Sequence, residues 1–399
     1  MHDIFIEAFN YPLAPHQIAD FPLPQRDASQ LLIYREGKIT DDTFTNLPQQ
    51  LPQGATLVLN NTRVIEARIF FQKLTGGIIE LFCLQPFTPA DISLAMQQTQ
   101  TVQWRCLVGG ASKWKPGQVL QKEIEAGGRA VLLTATYLSK EPEDFIIALS
   151  WGGGLPFATI LEAAGAIPLP PYIKRKAEYD DAERYQTVFA EHKGSVAAPT
   201  AALHFSQNVF TNLAAKDILP QYITLHVGAG TFKPVKTETI SAHHMHEEHF
   251  SVTADLLRAL LTAKTIVSVG TTSLRTLESL YWIGIKINNH NHDLCLSQWE
   301  AYELDDSLTY EESLGVLLAY LEASGKPALQ CRTSLLIRPG YRFRSAQALI
   351  TNFHQPRSTL LLLVAAFIGD DWRKVYDHAL AYSYRFLSYG DSSLLWRKD

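Results

Sequence analysis

Two histidines stand among small residues in the middle of this 399-residue chain. His204 lies near the end of GSVAAPTAALHF (194–205), and His226 sits in TLHVGAGTF (224–232). Gly, Ala, Ser and Thr let a backbone approach a ligand closely, and glycine reaches φ > 0 without a Cβ penalty. Turns of this composition present N–H groups to carboxylate or phosphate oxygens. An imidazole beside such a cradle titrates near neutral pH and can serve as base, acid or hydrogen-bond anchor. The pair reads as a pocket for a small polar ligand, with Gly228, Gly230 and Thr231 shaping its wall. The alternative is two buried strands ending in tight turns, each with a core histidine.

Other groups share this setting. VGTTSLRTLES (269–279) runs from a strand into a helix opened by Thr271, Thr272 and Ser273. Amides and hydroxyls there favour an anion such as a carboxylate, with plain helix capping as the alternative. Arg275 and Glu278 follow on the first turns, as ligand contacts or as a mutual surface pair. Asn60, Asn61, Thr62 and Arg63 leave the strand TLVL and offer amide and guanidinium donors, or a turn. Asn352 and His354 end another strand before Pro356. Arg385, Tyr389 and Asp391 can hold a base edge or ribose, or dock the carboxyl terminus. HHMHEEHF (243–250) spaces His243 and His246 at i, i+3, where Glu248 or His249 would complete a metal shell. It lacks the H-E-x-x-H spacing, and no metal is expected.

The two histidine blocks and eight further ordered stretches resemble the S-adenosylmethionine:tRNA ribosyltransferase-isomerases of the queuosine pathway. The eight are DFPLPQRDASQLL, LVLNNTRVIEAR, ILEAAGAIPLPPYIKR, ERYQTVFA, HHMHEEHF, VGTTSLRTLES, ITNFHQPRSTLLLLVAAF and YRFLSYGDSSLL. The resemblance implies that S-adenosylmethionine is a co-substrate, with no other cofactor. Its ribosyl group would pass to a 7-aminomethyl-7-deazaguanine at the tRNA wobble position, giving epoxyqueuosine with release of adenine and methionine. A sulfonium acidifies the adjacent 5′-carbon, so the protein must supply a base, an acid for adenine, and orientation. His204, His226 and His354 are the candidates for proton transfer. The partners implied are an anticodon stem-loop and S-adenosylmethionine, met by a monomer. A paralogue with another acceptor and a catalytically silent tRNA-binding protein are the rival readings. A methyltransferase is set aside, because no G-x-G-x-x-G occurs. Two departures from the family pattern are Ala202, where glycine is usual and a Cβ would narrow the pocket, and Arg357, where glutamate is common.

Size and charge bound these readings. A chain of this length defaults to two domains, and a hydrophobic content of 46% suits a packed globular protein. No signal peptide is apparent, LLLLVAAFIG (360–369) is too short to span a membrane, and four scattered cysteines suggest reduced thiols, though two of them could meet in space. A cytoplasmic location is expected. The net charge of −5 is unusual for an RNA partner. However, residues 287–326 carry −7 of it, which leaves +2 for the rest, and residues 328–369 hold five arginines and no acid. The basic stretch reads as a local basic face or as ordinary solvated charge, and the acidic insertion as a surface lobe that packs on the main domain.

The strand pattern divides the chain. Six short apolar or alternating runs between 69 and 150, separated by Gly76-Gly77, Pro116-Gly117 and Gly127-Gly128, predict a small all-β, barrel-like domain. It would be inserted, with a hinge at WGGGLP (151–156), into an α/β domain built from 1–68 and 151–399. There strands (YITLHV, TIVSVG, TSLLIRP, SAQALITNF) alternate with helices, and Ser358 is placed to cap the helix STLLLLVAAFIG. Such a sheet puts its ligand at the carboxyl ends of its strands.

Overall fold

A computed structural model describes residues 3–73, 75–142, 144–228 and 235–398. Gly230 and Thr231 lie outside the described residues. The architecture is mixed α/β, built on two sheets.

The larger sheet has ten strands. From one edge they run Cys295–Leu296, Ala328–Thr333, Glu248–Thr253, Pro220–His226, Thr56–Asn60, Ile266–Val269, Ala348–Asn352, Ser392–Trp396, Gln30–Arg35 and Lys38–Thr43. The four central strands, Pro220–His226 through Ala348–Asn352, are parallel. Their side chains alternate between two apolar cores. Leu57, Leu59, Val267 and Ile350 face a layer holding Phe44, Leu47 and the helix Gln207–Ala214. Val58, Ile223, Ile266 and Leu349 face the helices Ala254–Thr262, Thr271–Asn288, Tyr310–Ser324 and Thr359–Ile368. Burial on both faces is why these strands read as unbroken apolar runs. Ser358 caps the last of those helices by accepting from the Leu361 amide.

The smaller sheet is antiparallel and has seven strands: Gly165–Ala166, Arg68–Gln72, Ile78–Thr88, Thr101–Gly109, Phe145–Ser150, Arg129–Lys140 and Val119–Ala126. Each of the six runs expected between 69 and 150 forms one of these strands. The sheet curls so that Val119–Ala126 nears Arg68–Gln72, around a core of Phe71, Leu81, Trp104, Leu133 and Phe157. Cys83 and Cys106 are cross-strand partners whose sulfurs lie 3.9 Å apart as free thiols.

Three expectations need correction. TSLLIRP is not a strand: the strand is Ala328–Thr333, and the Thr333 side chain accepts the Leu335 amide as the chain turns. Leu335–Ile337 are apolar because they enter the core, a case in which a short apolar run does not specify strand. The acidic segment is not a surface lobe. Cys295–Leu296 extends the main sheet, and Tyr310, Leu314, Leu317 and Leu321 belong to the main core. The five arginines of 328–369 do not form one free basic face either. Arg344 pairs with Asp306, Arg332 with Glu247, and Arg357 with Glu7. Of these pairs, Arg344–Asp306 joins the basic stretch to the acidic insertion.

The helices Thr271–Asn288 and Tyr310–Ser324 touch where Gly284 meets Ser313. A Cβ at Gly284 would lie 2.5 Å from the Ser313 carbonyl oxygen, so only glycine permits this approach. Gly284→Ala should destabilise the protein by about 1–3 kcal/mol through overpacking, read as a lower urea midpoint. An unchanged midpoint would show that the interface yields freely.

Candidate functional site

The carboxyl ends of the parallel strands lead into one cleft. The strand Ile266–Val269 ends at Gly270, whose φ of 90° turns the chain into the helix Thr271–Asn288. That conformation strains any residue with a Cβ. Among the described residues no side chain caps this helix, so its first amides are left for another acceptor. The strand Ala348–Asn352 runs out into Phe353, His354 and Gln355. These two exits, the stretch Ala197–Ala201, and Tyr172, Val227, Leu387 and Ser388 enclose the cleft.

Its polar groups are held in place. Thr200 Oγ1 donates to Asn352 Oδ1 at 2.9 Å, and Asn352 Nδ2 lies 3.4 Å from His204 Nε2. His204 Nδ1 in turn faces the Arg26 carbonyl at 3.3 Å. One neutral tautomer serves all three contacts: Nδ1–H donates to the carbonyl and Nε2 accepts from the amide. His354 Nε2 lies 2.9 Å from Thr351 Oγ1. Its backbone amide donates to Tyr376, and its carbonyl accepts from the Tyr11 hydroxyl. Tyr172 and Ser388 share a hydrogen bond of 2.6 Å across the cleft wall.

The three histidines occupy different places. His354 lines the cleft. His204 stands behind Asn352, its ring tilted against Phe44, and opens onto a smaller recess with Arg26, Arg184, Arg385 and Tyr389. His226 lies away from both, with Nδ1 3.3 Å from Thr62 Oγ1 and its ring against Gly194, where a Cβ would come within 2.8 Å. Burial pushes the imidazole pKa down in each, to about 4 for His204 and His226 and about 3 for His354. For His226, neighbouring His192 and His249 add to the effect.

The other expected residues divide similarly. Thr271, Thr272 and Asn352 line the cleft, and Gly228 follows the lining residue Val227. Ser273 is buried, with no hydrogen-bond partner for its hydroxyl among the described residues. Arg275 and Glu278 are neither a surface pair nor cleft residues. Arg275 is paired with Glu248 inside the protein, and Glu278 accepts from the Tyr341 hydroxyl, the Arg344 and Ser345 amides and the Ser345 hydroxyl. Sequence spacing put them on one helix face but not under the layers that cover it. Asn61 accepts from Thr224, and Arg63 is exposed. Asp391 is bound by Arg385 and by the Gln30 and Arg385 amides, while Tyr389 donates to Asp181. His246 contacts Glu248, and His249 contacts Glu247. Among the described residues, no cluster of three or more His, Cys, Asp or Glu is placed to hold a metal. Ala202 packs in the core beneath the main sheet rather than on the cleft wall, and Arg357 sits on the exterior with φ of 54°.

Tyr172, Thr200 and Ser388 were not anticipated. Each lies within a motif quoted above, as a hydroxyl among Pro, Ala or Gly, and that composition was the available signal. A wider groove of about 960 Å³ separates the smaller sheet from residues 166–177, lined by Arg68, Lys122, Lys174 and Arg175. None of the expected site residues that the structure describes lines it.

The fold is that of a mixed α/β protein with a cleft at the carboxyl ends of its parallel strands, the usual ligand position for such sheets. Residues 6–395 match the family described as queuosine biosynthesis protein. An S-adenosylmethionine:tRNA ribosyltransferase-isomerase from Pelobacter propionicus is 37% identical over 98% of this chain and 100% of its own length. Another, from Anaeromyxobacter, is 38% identical over 98% and 99%. A crystal structure of S-adenosylmethionine tRNA ribosyltransferase from Thermotoga maritima is 26% identical, covering 97% of this chain and 99% of that one, with a TM-score of 0.45. The chain belongs to the queuosine biosynthesis protein family.

The buried histidines predict a pH dependence. Their folded pKa values lie below the ordinary 6.5, so between pH 6.5 and about 4 the unfolded chain binds more protons. Stability should be full above pH 6.5 and fall as pH drops through that window, by about 3 kcal/mol for one fully protonated buried histidine. Urea midpoints at pH 7 and pH 5 test this. His204→Gln should flatten the difference, and an equally steep loss in that variant would contradict the assignment.

Proposed function

We propose that the protein transfers and isomerises the ribosyl group of S-adenosylmethionine onto 7-aminomethyl-7-deazaguanine at the wobble position of tRNA. Epoxyqueuosine-tRNA forms, and adenine and methionine leave. The full-length similarity to enzymes named for this activity supports the reading, and the observation that carries it is the construction of the cleft. The uncapped helix start at Thr271–Thr272 suits the methionine carboxylate. The Asn352 amide, fixed by Thr200 and His204, suits a base edge or a ribose hydroxyl. His354 is the histidine that meets the ligand and our candidate for proton transfer; burial keeps its imidazole in the free-base form and opposes a lasting charge on the ring. His204 acts by positioning Asn352. Nothing in the site favours the paralogue or the silent binder.

We further propose that 69–150 forms a domain inserted into an α/β domain of 1–68 and 151–399, and that the protein acts as a cytoplasmic monomer. Among the described residues no helix is long and apolar enough to cross a membrane.

The test incubates the protein with S-adenosylmethionine and an anticodon stem-loop carrying the modified base. Mass spectrometry of the RNA and an adenine assay read the product. RNA gaining the epoxycyclopentanediol group with stoichiometric adenine is expected, and His354→Gln should slow adenine release about 100-fold or more while S-adenosylmethionine still binds. His226→Gln should cost far less. Wild-type turnover in His354→Gln would sink the assignment, and unmodified RNA would sink the activity.

A further inference from the structure

Arg26, Arg184 and Arg385 line one small recess beside the main cleft. Ser388 belongs to the walls of both, and the contact between Asn352 and His204 joins them. The first two guanidiniums are fixed by carbonyls rather than carboxylates. Arg26 donates to Gln186 at 2.7 Å and Glu183 at 2.9 Å, and Arg184 donates to Pro24 at 3.2 Å and to Leu23. Carbonyls orient a guanidinium but leave its formal charge uncompensated. Arg385 does meet a carboxylate, Asp391, at 3.0 Å. Glu183, which acts on Arg26 electrostatically, is exposed to solvent. Among the described residues no acid lines the recess, and Arg184 Nε is buried without a hydrogen-bond partner. Three pre-oriented cations with one direct counter-charge make a place for an oxyanion, which guanidinium forks match well.

We infer that this recess holds a phosphodiester of the RNA, next to the base that enters the main cleft. The inference rests on the proposed reading of that cleft: a base inserted there leaves its flanking phosphates just outside it. On an acidic protein, such a built site supplies local phosphate neutralisation that the net charge does not.

The test uses the full chain and anticodon stem-loops carrying one methylphosphonate, 5′ or 3′ of the wobble nucleotide. The wild type should bind one of the two about tenfold or more weakly than native RNA, the scale of a lost charged hydrogen bond. Arg184→Gln should bind native RNA weakly, be insensitive to that phosphonate, and show a salt slope flatter by roughly 0.7. Arg184→Lys, which keeps the charge, should recover part of the affinity. Both phosphonates binding the wild type like native RNA, or equal phosphonate losses in wild type and Arg184→Gln, would overturn the inference. Inorganic phosphate bound through Arg184 without any phosphonate effect would assign the recess to free phosphate and also overturn it. Ribosyl transfer on the same samples separates the two ideas. A phosphonate effect lost in Arg184→Gln supports the recess even without transfer, whereas transfer without any phosphonate effect overturns the recess alone.

Discussion

The helix Thr271–Asn288 is buried along all but its last residue, between the main sheet and an outer layer of helices. Burying a charged side chain without a partner costs several kcal/mol, so each charge on this helix must be answered inside the protein. Glu248 answers Arg275; Glu300 and the Cys295 carbonyl answer Lys286; Tyr341, Arg344 and Ser345 answer Glu278. These partners come from a neighbouring strand, the acidic segment and the turn before Ala348–Asn352. The helix is thereby tied to the elements around it, and its uncapped start is aimed at one place. The cleft depends on that fixation, because backbone donors bind an anion well only when they need not be reorganised.

Around the fixed start, the three histidines show how burial sorts similar residues into different tasks. All three are kept neutral, yet only His354 reaches the cleft. His204 uses one ring nitrogen on a carbonyl and the other on Asn352, and so orients an amide on the cleft wall. His226 fills the space that Gly194 leaves open and does not line the cleft. One tautomer per ring satisfies the observed partners of His204, which ties its protonation state to the geometry of the cleft.

Much of this was legible in the sequence for identifiable reasons. The β strands between 69 and 150 announced themselves through alternation and glycine turns. The central parallel strands read as apolar runs because both their faces are covered, and the strand exits carried the Gly and Thr signals that placed Thr271, Thr272, Asn352 and His354. The rest needed the third dimension. Arg275 and Glu278 look like ordinary helix-surface charges until the layers above the helix are known. The acidic segment looked like a lobe because its charges outnumber its leucines, yet Leu314, Leu317 and Leu321 recur at helical spacing on a face that enters the core. Tyr172, Thr200 and Ser388 come from distant parts of the chain, and no local pattern brings them together. The arginines of 328–369 suggested a basic face, but proximity in sequence said nothing of the acids waiting for them.

A crystal structure of the protein with S-adenosylmethionine bound tests the central claim most directly. The account predicts the methionine carboxylate on the Thr271 and Thr272 amides, with His354 and Asn352 facing the nucleoside. S-adenosylmethionine lodged instead in the groove beside Arg68 and Lys122, or away from the start of this helix, would contradict it.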